Sequence, residues 1–464
     1  MRMCRSRNIC IVVGLVLVIV VTYVVVIGVS GRRTTAGHGN DDDEYGTRRK
    51  SGSVENLLEG LGVEAGVGSS AGVKEMSRGA GRSRGGGSAV DKKALRDVRS
   101  EQCRGVSYPI ASGQKVVLVV DFVSFNVVDV EKLTTSVGGL LDTDVGGLVD
   151  RVAIVTRKSK TVIGDQSAVV DAMRKYLSSA HPSVGIRVVQ IGLSAGAATA
   201  RTAALKTTGA GKADDIIVFV DAATVVASVG WLEPLVDALR KNPNAIVAPH
   251  FDEIAPSNAT PSLLPPTPEY RTTASRLTAE FAWPFKIRMT AEYDVAPNAD
   301  GFLPSSALRG NAFAVTRRFW TTIGGYAPTL SDVRGATLEL SLRTWMCGGG
   351  GDDGDSGRIL IVPCSRVGVE NLFNVVRVSN RLHALGVSET WYGIRREAVL
   401  RLTGLRMDDD VKLATEGLSL WVEKLAMTCK DFEWYLKTAA TRAVVPSAEA
   451  SNFGRLVASS GNMH

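Results

Sequence analysis

The sequence predicts an α/β fold, a parallel, doubly wound sheet behind a single N-terminal membrane helix, and three observations predict it. From Lys115 onward short apolar runs alternate with segments of helical period; one run, Ile216 to Val220, ends in an acid, Asp221; and an uncharged apolar stretch, Ile9 to Val29, precedes a long low-complexity segment. A chain of 464 residues with 48 glycines and 6% aromatics is long enough for one full α/β core plus unstructured material.

Residues 1–8 read as a cytoplasmic tail carrying Arg2, Arg5 and Arg7. Residues 9–29 are almost entirely Val, Ile, Leu and Gly, about the 20 residues a helix needs to span a bilayer. Basic residues before the span and Asp41 to Glu44 after it favour a cytoplasmic N-terminus, hence a single-pass type II signal-anchor; a cleaved signal peptide ending at Gly28-Val29-Ser30 is the alternative, which the length of the run disfavours. Residues 30–100, rich in Gly, Ser and Arg, hold too little apolar surface to offset ordering entropy and read as a stem. Lys and Arg total 54 against 47 Asp and Glu, and most of the excess lies before residue 100, away from any folded face with stacking aromatics. That distribution argues against nucleic acid as a partner.

Residues 101–440 read as the folded domain and 441–464 as an Ala- and Ser-rich tail. Strands are expected at Val116–Val120, Val152–Val155, Ile186–Ile191, Ile216–Val220 and Ala245–Ala248. Helices are expected at Val130–Leu141, Ala168–Leu177, Ala195–Leu205 and Trp231–Leu239. In such a sheet ligands bind beyond the carboxyl ends of the strands, where Asp221 stands. Further on, Leu338, Leu342, Trp345 and Met346 recur at helical spacing, Gly348 stops the helix, and Arg358 to Val362 is a short strand. Two of the six cysteines, Cys4 and Cys10, lie at or before the membrane segment; the other four, Cys103, Cys347, Cys364 and Cys429, allow three pairings. A zinc site fails for want of a close Cys-x-x-Cys pair or a nearby histidine. Asn258-Ala259-Thr260 is a glycosylation sequon, with Pro261 just beyond it.

From Tyr326 to Gly349 the chain aligns without a gap to Tyr-Asp-x-x-Met-x-x-Trp-Gly-Gly-Glu-Asn-x-Glu-x-Ser-x-Arg-x-Trp-x-Cys-Gly-Gly, keeping Tyr326, Gly335, Glu339, Ser341, Arg343, Trp345 and Cys347. Pro363 to Gly368 then reads Pro-Cys-Ser-Arg-Val-Gly. These motifs resemble the polypeptide N-acetylgalactosaminyltransferases, and Gly230 to Leu235 repeats that family's Gly-Trp-Leu-Glu-Pro-Leu residue for residue. Phe281, Trp283 and Phe285-Lys286 are similar to its Phe-Asp-Trp-x-Leu-x-Phe-Lys, and Leu308 to Val315 to its Met-Ala-Gly-Gly-Leu-Phe-Ala-Ile. The resemblance covers the chain from Cys103 to about Leu436 and implies a GT-A-type, Rossmann-like nucleotide-sugar-binding domain without the family's C-terminal lectin domain. It also implies the disulfides Cys347 to Cys429 and Cys103 to Cys364.

Where the family carries chemistry the chain departs from it. The Asp-x-His that, with the histidine of Val-Gly-His, holds manganese is Asp221-Ala222-Ala223, and that last histidine is Val369. The signature glutamate beside the reacting sugar is Ala336. Of the arginine pair in the helix before Asp221 only Arg201 survives, the first position being Thr199, and the acid pair after the second strand is Thr156-Arg157. The resemblance therefore implies a UDP-sugar donor held through Asp221, Arg201 and Arg309, with manganese left one of its three protein ligands. Charge developing on a leaving diphosphate must be neutralised by a cation or fixed cationic groups. His250 is a candidate replacement imidazole against a packing role, Arg334 and Arg309 are candidate cations against solvated or paired ones, and Asp352, Asp353 and Asp355 lie in an inserted Gly-rich turn that reads as solvated rather than as a calcium loop. Two functions follow: a divergent Golgi transferase moving a sugar from UDP to Ser or Thr of a protein or glycopeptide acceptor, its catalytic domain lumenal, or an inactive relative, a pseudoenzyme, that binds a partner and regulates it.

Overall fold

The computed structural model describes residues 97–109, 114–121, 130–157, 166–192, 196–209, 211–213, 215–221, 225–254, 270–271, 277–283, 285–291, 296–330, 333–348, 358–370, 372, 376–377, 386–387, 390–391, 409–425 and 429–445. All belong to one of the two units into which the chain divides, Val63–His464. The expected membrane segment 9–29, the stem up to 96, Asn258, the turn at Asp352 to Asp355 and the tail beyond 445 lie outside them. Among the described residues no helix is long and apolar enough to cross a membrane.

The chain runs α1 (Glu101–Arg104), β1 (Val116–Asp121), α2 (Val130–Asp142), β2 (Val149–Arg157), α3 (Gln166–Ala180), β3 (Gly185–Ile191), α4 (Ala197–Thr207) and β4 (Ile216–Asp221). Then come β5 (Val225–Ala227), α5 (Leu232–Lys241), β6 (Ala245–Ile254), β7 (Tyr270–Arg271), β8 (Leu277–Ala282), β9 (Lys286–Ala291), β10 (Leu303–Pro304) and β11 (Ala312–Thr316). Last are α6 (Arg317–Thr322), α7 (Val333–Cys347), β12 (Arg358–Glu370), β13 (Val376–Arg377), α8 (Asp409–Lys424) and α9 (Phe432–Thr438).

Every strand and helix expected between Val116 and Ala248 is present, extended by a few residues or shifted at one end. The sheet order is β10-β12-β6-β11-β4-β1-β2-β3, with β5 on β12 and β7 on β6. It is not purely parallel: β1, β2, β3 and β4 are parallel neighbours, but β11 enters antiparallel between β4 and β6. Ala312–Thr316 reads in sequence as a motif and not as a strand, and only its long-range pairing reveals it. A second sheet, β13-β9-β8, is likewise absent from the sequence reading. Central β1 and β4 are buried along their apolar runs because helices cover both faces, which is why those runs are continuous rather than alternating.

Helix α5 starts with Glu233 and Pro234 in its first turn and ends on Arg240 and Lys241, the arrangement that the helix dipole and the fixed proline φ favour. Helix α7 is buried from Gly335 to Cys347 and has no polar face; its polar groups find partners within the protein instead. Glu339 and Arg343, one turn apart and fully buried, form a two-pronged ion pair at 2.7 and 2.8 Å. Arg343 also donates to the carbonyls of Ile323 and Gly325 and stacks 4.4 Å from the Trp421 ring. Cys103 is bonded to Cys364 and Cys347 to Cys429, the pairs the family resemblance implies.

Candidate functional site

Asp121 and Asp221 end β1 and β4 in register, so the two parallel strands deliver two carboxylates side by side at the carboxyl edge of the sheet. They are not equivalent. Asp121 is 4% exposed, and its Oδ1 accepts from Arg201 Nη2 at 2.9 Å. Arg201, on α4 and 1% exposed, also donates from Nη1 to the Gly310 carbonyl at 3.0 Å and to the Tyr326 hydroxyl at 2.9 Å. Burial opposes the guanidinium charge, but Asp121 and Tyr326 outweigh it and hold its pKa above the ordinary arginine value. Burial pushes the Tyr326 phenol up as well, so it stays a neutral hydroxyl. The surviving arginine of the family pair is thus a knot tying β1, α4, the approach to β11 and the start of the signature segment.

Gly310 belongs to the same knot. Its φ is +91°, and a Cβ there would meet Thr337 Oγ1 at 2.9 Å, so the position demands glycine on both counts. Next to it Arg309 is buried and donates to the Leu372 carbonyl at 2.5 Å, and burial lowers its pKa to about 10, which leaves it charged at neutral pH. Asp221 is partly exposed, and its amide donates to the Asn311 carbonyl at 2.7 Å.

On the far side β12 carries Val369, fully buried and opposite Val225 of β5. Val225 lies two residues beyond Ala223, which is itself outside the described residues. Ala336 is fully buried in the first turns of α7. The residues therefore do not fit a manganese ion. Hydrocarbon stands at both imidazole positions, and among the described residues no group of three or more His, Cys, Asp or Glu is placed to hold a metal. His250 is 2% exposed and its Nε2 accepts from the Leu277 amide at 3.5 Å, a packing histidine on β6. Arg334 is exposed at the start of α7.

The signature residues that survive have partners inside the protein. Ser341 Oγ accepts from the Leu308 amide at 3.0 Å and donates to the Thr337 carbonyl at 2.7 Å. Trp345 Nε1 donates to the Ser305 carbonyl at 3.0 Å. Ser365 Oγ donates to the Trp231 carbonyl at 2.6 Å, and Arg366 pairs through Nε with Asp252 Oδ2 at 2.9 Å, joining β12 to α5 and β6. Asp121 is the residue of this region that the sequence reading missed. Its signal was the one that marked Asp221, an acid closing a buried apolar run.

No protein-family model matches the chain. Over 247 residues it is 30% identical to the inactive polypeptide N-acetylgalactosaminyltransferase-like protein 5 of Macaca fascicularis, covering 51% of this chain and 49% of that one. Over 236 residues it is 28% identical to human polypeptide N-acetylgalactosaminyltransferase 10, covering 49% of this chain and 35% of the other. It therefore spans half or less of the length of these two relatives. In fold it is similar to GalNAc-T7, crystallised with UDP, GalNAc and Mn2+, with a TM-score of 0.57, 18% identity, and coverage of 75% of this chain and 60% of that one.

Proposed function

We propose that this chain is a divergent member of the polypeptide N-acetylgalactosaminyltransferase family, a glycosyltransferase-like protein whose lumenal domain recognises protein or glycopeptide acceptors, with the metal-ligand and catalytic positions of a UDP-sugar transferase degenerate. One observation carries the reading. Residues that match the family motif and have a packing role, Glu339, Ser341, Arg343, Trp345 and the cysteines, are in place with their partners, while the positions the family resemblance assigns to chemistry hold Ala336 and Val369, both fully buried. A second observation favours another reading, an inactive relative acting through a partner: Arg201 is already committed to Asp121.

The apolar run 9–29 and the stem that follows support a Golgi membrane protein, single-pass type II, with Asn258 open to glycosylation. UDP is the donor nucleotide that the family resemblance supports, and Asp221 with Arg309 are the groups proposed to face it. Calorimetric titration of the detergent-solubilised full chain with UDP and UDP-N-acetylgalactosamine, each with and without manganese, separates the readings. Binding that persists in chelator supports a donor site run on arginine; binding that requires manganese means that ligands other than the family's hold it. Absence of binding in every condition removes the transferase and leaves the partner-binding reading.

A further inference from the structure

A cavity of about 270 Å3 lies between β8, β10 and the turn leaving α9, well away from the carboxyl edge of the sheet. Its polar wall is built by Thr278, Glu280, Ser306, Thr438, Thr441 and Arg442. Thr278 and Glu280 stand two apart on β8 and share one face of the strand. Glu280 is 8% exposed, and three contacts converge on its Oε2: Arg288 Nη2 at 3.1 Å, Arg288 Nε at 3.3 Å and the Thr290 hydroxyl at 3.0 Å. These contacts fix the direction of the carboxylate. Ser306 Oγ accepts from the Phe281 amide at 3.0 Å, so its own proton is the group left to donate.

Both walls are anchored. The Tyr435 hydroxyl, on α9, donates to the Ser306 carbonyl at 2.8 Å, and the Cys347–Cys429 disulfide ties the approach to α9 onto α7. A rigid pocket lined by hydroxyls, a carboxylate and a guanidinium offers acceptors and donors of both signs, which suits a neutral polyol better than an anion or an apolar ligand. The volume accommodates one six-membered sugar ring. β10 pairs with the start of β12, at Leu360 and Ile361, opposite Val247 and Ala248 of β6, whereas Val369 lies opposite Glu253, roughly 16–20 Å further along by strand rise. Occupancy here is independent of the nucleotide cleft.

We propose that this cavity binds a single neutral pyranose ring, held by Glu280, Ser306 and the 438–442 turn. The site deepens the acceptor reading and depends on it only for the source of the sugar, a glycan on a protein partner. Ligand-observed NMR on the full chain in detergent, with methyl pyranosides of several hexoses and N-acetylhexosamines and with a glycopeptide carrying one of them, tests it. At least one pyranoside should bind at millimolar concentration. Thr441→Trp, at an exposed position on the rim, should abolish that binding, and Glu280→Gln should weaken it about tenfold. An unchanged melting curve for Thr441→Trp shows that the rim variant is folded, whatever the buried variant does. Binding of the glycopeptide as well assigns the sugar to a partner's glycan; binding of pyranosides alone assigns a soluble sugar, and either supports the site. No pyranoside binding, or binding that survives Thr441→Trp, overturns it. UDP titration of the same samples reports on the donor reading separately.

Discussion

Arg343 and Glu339 show what a retained signature residue does here. With both side chains fully buried, removing one partner strands the other's charge inside the core, so Glu339→Gln should cost about 3–5 kcal/mol, read as a lower urea midpoint at unchanged slope. Glu233 supplies the pH dependence. Burial, reinforced by the nearby Asp144 and only partly offset by Arg99, raises its carboxyl above the ordinary glutamate range. A raised carboxyl means that the folded state holds the proton more tightly than the unfolded chain. Its contribution is therefore fully present in acid and is lost as pH rises through the folded pKa. Urea midpoints taken across that range should fall with pH in the parent, and Glu233→Gln should flatten the slope; an identical slope in both proteins would exclude Glu233 as the group responsible.

Among the elements, β12 departs most from its sequence pattern. Its apolar run ends at Val362 and Pro363 follows, which reads as a stop, yet the strand continues to Glu370. A register shift between Val362 and Arg366 takes up the interruption, and the hydroxyl of Ser365 and the guanidinium of Arg366 hold the second half in place through Trp231 and Asp252. Ser365→Ala leaves the buried Trp231 carbonyl without that donor and should cost about 1–3 kcal/mol by chemical denaturation. The parallel strands from Val116 to Ala248 were legible because central strands of a covered sheet must be apolar on both faces. β11 and the β8–β9–β13 sheet were not, because Ala312–Thr316 acquires its meaning only beside Ile216–Val220 and Ile246–Val247, far away in the chain. In the site, Asp221 was legible as an acid at a strand end. The burial of Arg201 was not, since an arginine on a helix gives no sign of the carboxylate that will neutralise it.

For the whole molecule, the two disulfides close loops with sequence separations of 261 and 82 residues. Replacing Cys103 and Cys364 together by serine should lower stability by about 2–4 kcal/mol, measured under non-reducing conditions against the parent. That bond also sets a schedule. Cys103 leaves the ribosome long before its partner; at about 5–20 residues per second the thiol waits roughly a quarter of a minute to most of a minute for Cys364 to be made. Cys347 is synthesised first and meets it as a competitor. Nearly all of the central sheet has been translated by then, so the order of strand assembly, rather than the order in which thiols appear, has to keep Cys103 from the wrong partner.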